Sequence, residues 1–477
     1  MLIKTTIEGV GEKSIELKEI PSTPKLKVHF QRHPDYKGEY GFDWFRDYYE
    51  TKLADQSKLQ ALKDEYTPCQ ILGEDYFVPW LTLMPNAAAD LILKVELDEA
   101  VKIKKKESGK IILPKNCALA FSPAEIEISA LRDKQEFEVN VSCRGILAAD
   151  AKLDVTIDTD NQVVGKLNVL KNSVVPKINL RFVKVVVYPG QKYLKENELV
   201  NGAFVDKEYD SEEAYLDNVL TNHDVPNFIK TRAFNQALID VDIDPGNYVI
   251  ELDGTTLANE GKIRGYEISD NLFAKGLHKD LLAKYQNVYE NTSGSKNQQG
   301  GKSLIVFYSA LQRVAMSGTV GGESSLLDVG SRSCLIYAAG LDAPSTYVHE
   351  LGHVMGCLHS FVDSAAVNSI EEGIKAKEEF MNRCFSAIEH NKKQLAIVSS
   401  GTNPLKTQKV IESIEKLNSQ IADSIGAISC YSHKIAGNAM AFDNFKTSSN
   451  FMDYTAGGGI DFFKWQWATM QNAILGY

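Results

Sequence analysis

The first 175 residues alternate apolar and polar positions with a period of two over many short stretches. Lys25–Phe30 alternates, and strand-like runs follow at Tyr76–Leu83, Asp90–Leu97, Lys110–Leu113, Glu125–Ala130, Glu136–Cys143, Leu153–Asp158 and Val163–Val169. Period-two alternation marks half-buried antiparallel strands. About seven strands at this spacing, with turn signals between them, predict an all-β, immunoglobulin-like sandwich over residues 71–175. Residues 1–70 form an N-terminal β and aromatic region. Within it Tyr40-Gly41-Phe42-Asp43-Trp44-Phe45 reads either as a binding patch or, more simply, as surface buried against the next domain.

From residue 178 to the end the pattern changes. Asn179–Val187, Tyr248–Leu252 and Ser303–Tyr308 read as strands, and Glu212–Leu220 as a helix that continues through Phe228–Leu238. Mixed strands and helices predict a separate α/β domain over 178–477. Residues 291–301, rich in Gly, Ser, Asn and Gln, read as a surface loop. Ile370, Ile374, Met381, Phe385 and Ile388 keep helical spacing, as do Val410, Ile414, Leu417, Ile421 and Ile425, with Asn403-Pro404 as a break between them. The two runs predict a helical hairpin, an insertion at about 364–428.

Composition narrows the class. The 477 residues are 44% hydrophobic and 24% charged, as in folded globular chains, and the net charge of −11 disfavours nucleic acid and anionic membranes as partners. No stretch has the length and apolarity of a membrane span. The start, Met1-Leu2-Ile3-Lys4, lacks the apolar core of a Sec signal, so the expectation is cytosolic synthesis. Seven scattered cysteines form no Cys-x-x-Cys pair, which argues against a cysteine metal site. Cys69 follows Pro68 but lacks the surroundings of a latency switch, and Cys357 reads as a core residue.

The candidate chemistry lies at His349-Glu350-Leu351-Gly352-His353-Val354-Met355-Gly356-Cys357-Leu358-His359. Histidines four apart on a helix put both imidazoles on one face, able to share an ion, with Glu350 beside that ion as a base. Gly356 comes where the helix must stop, because glycine accepts the left-handed backbone that ends a helix. The turn allows His359 to swing back as third ligand. Three protein nitrogens with one open position is the geometry of a catalytic Zn2+ site, so one zinc ion is expected. A glutamate further downstream, Glu371 or Glu372, is the alternative third ligand, but it leaves Gly356 and His359 without a role.

The run His349-Glu350-x-x-His353-x-x-Gly356-x-x-His359 resembles the zinc signature of the metzincin metallopeptidases. Ser449-Asn450-Phe451-Met452-Asp453-Tyr454 resembles that clan's methionine turn. The resemblance implies Met452 as the apolar floor under the metal and Tyr454 as a residue that contacts zinc or the oxyanion. It also implies that Ser333–Ala338 lies at the sheet edge where extended substrate pairs, and that Phe462–Met470 is the closing helix. It covers roughly residues 300–362 and 445–477. His359 and Met452 are separated by more chain than the clan usually has. Ser360 follows the third histidine as in matrixins but nothing else matches them, so no subfamily is assigned.

The resulting expectation is a multi-domain zinc endopeptidase acting on a protein or peptide substrate, with Glu350 as general base. Partner proteins would dock through the N-terminal region or the helical insertion. The rival expectation is an adhesion, delivery or targeting module in the front 175 residues, with a non-catalytic structural zinc domain behind it. The aromatic opening Tyr40–Phe45 faintly resembles leader regions of bacterial effectors exported without a signal peptide, which implies such an export route.

Overall fold

The computed structural model describes residues 2–7, 11–16, 25–97, 109–188, 193–200, 203–290, 303–315, 318–324, 332–399, 404–437, 440–443, 448–454 and 458–476. The chain is a multi-domain assembly of several β-sheets and helices. Ten strands make the two large sheets of the front part: β1 Leu26–Arg32, β2 Gly41–Asp43, β3 Trp80–Thr82, β4 Ala88–Leu97, β5 Lys110–Ile112, β6 Leu119–Ser122, β7 Glu125–Glu127, β8 Glu136–Cys143, β9 Ala151–Ile157 and β10 Val163–Val169. One sheet runs β6-β8-β4-β1, the other β7-β5-β9-β10-β3-β2. All pairs are antiparallel except β10 with β3.

The alternation read from the sequence is the alternation of burial. Along β4 the residues Ala89, Leu91, Leu93 and Val95 are buried while their neighbours face outward. They share one core with Val139 and Val141 of β8 and with Ile111, Val155, Val164 and Leu167 of the other sheet. The sequence pattern differs from the structure where proline or local turns intervene. Tyr76–Leu83 is not one strand: Glu74–Tyr76 pairs with Cys69–Ile71, and after Pro79 the chain re-enters a sheet as β3. Glu125–Ala130 stops at Glu127, and Ile128–Arg132 turns as a 3-10 helix.

A third large sheet combines β11 Lys177–Tyr188, β12 Asp240–Ile243, β13 Tyr248–Asp253, β14 Leu304–Ser309, β15 Gly322–Ser324 and β16 Ser333–Ile336. Its order is β12-β11-β14-β16-β15, with β13 also on β11. Every pair is parallel except β15 with β16, so the antiparallel strand lies at the edge. Parallel strands covered on both faces read as continuous apolar runs, and β11 is buried through most of its length. On one face Leu180, Phe182, Val306 and Ile336 meet helices α1 Glu212–Asn222, α2 Val225–Arg232, α4 Pro344–Val354 and α7 Lys464–Gly476. On the other, Val183, Val185, Ile305 and Phe307 meet α3 Asn271–Tyr285. The helix expected to continue through Phe228–Leu238 breaks at Ala233, and Leu238 adopts φ +53°. The loop read at 291–301 lies outside the described residues.

The periodic runs after residue 363 form an antiparallel helix pair, α5 Ser364–Ser399 and α6 Pro404–Gly437. Leu358, Ile370 and Tyr431 pack at its base, and Cys384, Ile388 and Ile421 further out. The front part is not set apart from this half. Tyr49, Leu53, Leu62, Tyr66 and Trp80 belong to the core that holds α4, Met452 and Trp467. The aromatic stretch is largely internal: Tyr40 and Phe42 are buried, and the guanidinium groups of Arg32 (4.6 Å) and Arg46 (4.2 Å) stack over the Trp44 ring.

Glu212, at the first turn of α1, offers a pH test of this packing. It is buried, and desolvation raises its carboxyl from 4.5 to about 7 although the Val187 amide donates to it at 2.8 Å. The folded state therefore holds a proton that the unfolded state releases above about 4.5, so stability falls as pH rises from there to about 7. Glu212→Gln is expected to remove that loss and to be more stable than wild type at pH 8 by up to about 3 kcal/mol. Denaturant midpoints of both forms at pH 5 and pH 8 measure it. An equal pH dependence in the two would contradict it.

Candidate metal centre

Helix α4 starts with Pro344 in its first turn, where the missing amide costs nothing, and is buried from Tyr347 to Val354. Its end is a Schellman turn. Gly356 adopts φ +90°, its amide donates to His353 O at 3.0 Å, and the Cys357 amide donates to Gly352 O at 3.0 Å. The reversal returns the chain so that His359 faces His349 and His353. The ring centroids are 4.6 Å (His349–His353), 4.7 Å (His353–His359) and 5.3 Å (His349–His359) apart.

Each imidazole is held from behind through Nδ1. That of His349 is 2.8 Å from Phe451 O, that of His353 is 2.7 Å from Cys357 O, and that of His359 is 2.9 Å from Asp363 Oδ2. With Nδ1–H donating to these oxygens, each Nε2 keeps its lone pair. The Nε2 atoms of His349 and His353 are then only 3.1 Å apart. Two lone pairs at that separation repel, and a shared cation removes the repulsion. One ligand atom from each histidine falls within 4.8 Å of the other two. The buried trio can therefore hold a metal ion. Burial, reinforced by their mutual proximity, pushes His349 down to about 4 and His353 well below its usual value; His359 is lowered less because Asp363 opposes the burial. All three favour the neutral form that a metal requires.

Glu350, one position round the helix from His349, packs against the sheet edge. A Cβ at Gly322 of β15 would be 2.6 Å from Glu350 Cγ, so the edge strand needs glycine there to admit the carboxylate. Desolvation raises that carboxyl from 4.5 to about 7. On the far side, the turn at 450–453 closes beneath the histidines. The Met452 amide donates to Asn450 Oδ1 at 2.9 Å, and the Ser360 amide to Met452 O at 2.9 Å. Met452 is fully buried, and a Cβ at Gly352 would be 2.5 Å from its Sδ. The Gly352 that splits the motif is thus the space into which the methionine packs. Tyr454 is half exposed, with Oη 2.9 Å from His359 Nε2.

All six residues singled out in the sequence lie in this one region. Glu371 and Glu372 do not; both are exposed on α5. The sequence reading missed Asp363 behind His359 and the short edge strand β15. It also missed Asp461, whose buried carboxylate accepts from Arg32 (2.7 Å), Arg46 (3.2 Å) and Ser449 (2.8 Å). Asp363 had a signal, an Asp at the mouth of a helical run; Asp461 had none, because the two arginines it gathers lie more than 400 residues away. Among the described residues no helix is long and apolar enough to cross a membrane. No protein-family model matches the chain, and no curated protein matches it either.

Proposed function

We propose that the chain is a zinc-dependent endopeptidase of metzincin type, with His349, His353 and His359 as ligands and Glu350 as general base. In this reading the front sheets are an immunoglobulin-like sandwich and the later sheet with α4 and α7 is the catalytic domain. One observation carries it: three imidazoles, each fixed through Nδ1, turn their Nε2 atoms to one point while a carboxylate on the same helix faces an open sheet edge. The donor set, three neutral nitrogens joined by no cysteine, aspartate or glutamate among the described residues, suits zinc with a position left for water. A zinc ion held there supplies Lewis acidity toward water and toward a carbonyl oxygen.

The chain's own residues do the rest. An extended peptide pairs with the main chain of β15, the antiparallel edge strand, and this aligns its scissile carbonyl over α4. Glu350 takes a proton from the attacking water as the new C–O bond forms. It then delivers that proton to the amide nitrogen as the C–N bond breaks, so the carboxylate is regenerated. Tyr454 Oη, at the rim beside His359, donates a hydrogen bond to the oxygen that gains negative charge. Met452 fills the floor and keeps water out from below.

Metal analysis with peptide-library cleavage tests this. The purified chain is expected to retain about one zinc ion and to cut internal peptide bonds. Chelation should lower the rate by at least about 100-fold, and added zinc should restore it. Cleavage that survives complete metal removal, or a chain that takes up no metal, would sink the proposal.

A further inference from the structure

The α5–α6 hairpin is not a passive addition at the site, because the residue that caps its first helix contacts a ligand. We infer that Asp363 is a positioning residue that builds the base of the hairpin into the metal centre; this rests on the metal-site reading above. A single carboxylate serves two elements. Its Oδ1 accepts the Ala366 amide at 3.0 Å and so caps the first turn of α5, while its Oδ2 accepts from His359 Nδ1 at 2.9 Å. Of the three ligands, His359 alone is backed by a side chain; His349 and His353 are backed by main-chain carbonyls. A carboxylate behind a ligating imidazole fixes its tautomer and ring orientation and strengthens it as a donor.

The return leg of the hairpin closes on the same segment. After α6 the Phe442 amide donates to Ser360 O at 2.9 Å, and the Val362 amide donates to Phe442 O at 3.0 Å. Residues 360–362, between His359 and Asp363, are thus clamped by the chain that leaves the hairpin. Lys434 of α6 is buried under the Schellman turn, with its Cγ 3.7 Å from where a Cβ on Gly356 would stand. At about 1.5 Å per residue the hairpin arms run some 50 Å outward from this base. The one ligand that lies off α4 is therefore positioned by the one element inserted into the domain.

The two jobs of Asp363 can be separated. Asp363→Ser and Asp363→Asn keep an oxygen able to cap α5, because Ser and Asn cap about as well as Asp, but neither offers a carboxylate to His359. The metal-free proteins should show unchanged helical circular dichroism and melting. Their zinc affinity, read by competition with a chromophoric chelator, should fall about 10- to 100-fold. In a His359→Ala background, adding Asp363→Ser should cost no further affinity. Wild-type affinity in both variants, or full additivity with His359→Ala, overturns the inference and leaves the metal site standing. A wild-type chain that binds no zinc overturns both.

Discussion

Glu350→Gln is expected to keep its zinc and to lose about 10²- to 10⁴-fold in kcat/KM, or about 3–5 kcal/mol of transition-state stabilisation. The metal stays because Glu350 is not one of the converging donors; those are His349, His353 and His359. The fold stays because glutamine has the same shape and fits the slot that Gly322 leaves open. What disappears is the proton acceptor, since a neutral amide cannot take a proton from water. The measurement pairs metal content per chain with initial rates on a peptide that the wild type cuts. Wild-type turnover by the variant would remove Glu350 from the chemistry. Loss of metal together with activity would mean the carboxylate holds the site rather than working in it. The same variant separates the rival readings, because a purely structural zinc domain would be indifferent to it.

What could be read from the chain in advance follows from the range of the interactions. The metal helix was legible because its determinants are local: a four-residue spacing of imidazoles and a glycine at the point where the helix must reverse. The turn at Asn450–Asp453 was marked only by resemblance, since nothing in it reveals that Gly352 has been left bare for Met452. The hairpin was legible from its period, although α6 runs on to Gly437, past the last periodic position at Ile425. The alternation of β4, β8 and β9 translated directly into burial. Helix α3 was not anticipated. The edge strand β15, Gly-Glu-Ser, carries no apolar residue, so no periodicity could mark it. Least legible was how the front of the chain meets the back. Asp43 accepts from Tyr66 (2.8 Å) and from the Lys464 amide (2.8 Å), and Asp461 gathers Arg32 and Arg46. Apart from the Tyr66 contact, these bonds bridge most of the chain length and leave no local pattern.

That long-range joint makes Tyr49→Ala the most damaging single truncation expected in the front of the chain. Tyr49 is fully buried, stacked on Phe442 (5.1 Å between centroids, 18° between planes) and edge-on to Phe463 (6.0 Å), and Arg46 donates a hydrogen bond to its hydroxyl. Removing a buried aromatic ring costs about 3–5 kcal/mol, through lost burial and the cavity left behind. By contrast Ile397→Ala, on an exposed position of the hairpin, should change stability by less than about 0.5 kcal/mol. The consequence should reach the metal. Phe442 is bridged on one side to Leu53 and on the other to Phe361, two residues after His359, so the ring under Phe442 supports the segment that carries the third ligand. Tyr49→Ala should therefore lower the melting temperature and also speed zinc release to a chelator. If the front were an independent delivery module, the variant would melt the front sheets while zinc release stayed at the wild-type rate. Release kinetics on Tyr49→Ala and Ile397→Ala, measured beside their melting curves, distinguish a front part that completes the core around the three histidines from one merely attached to it.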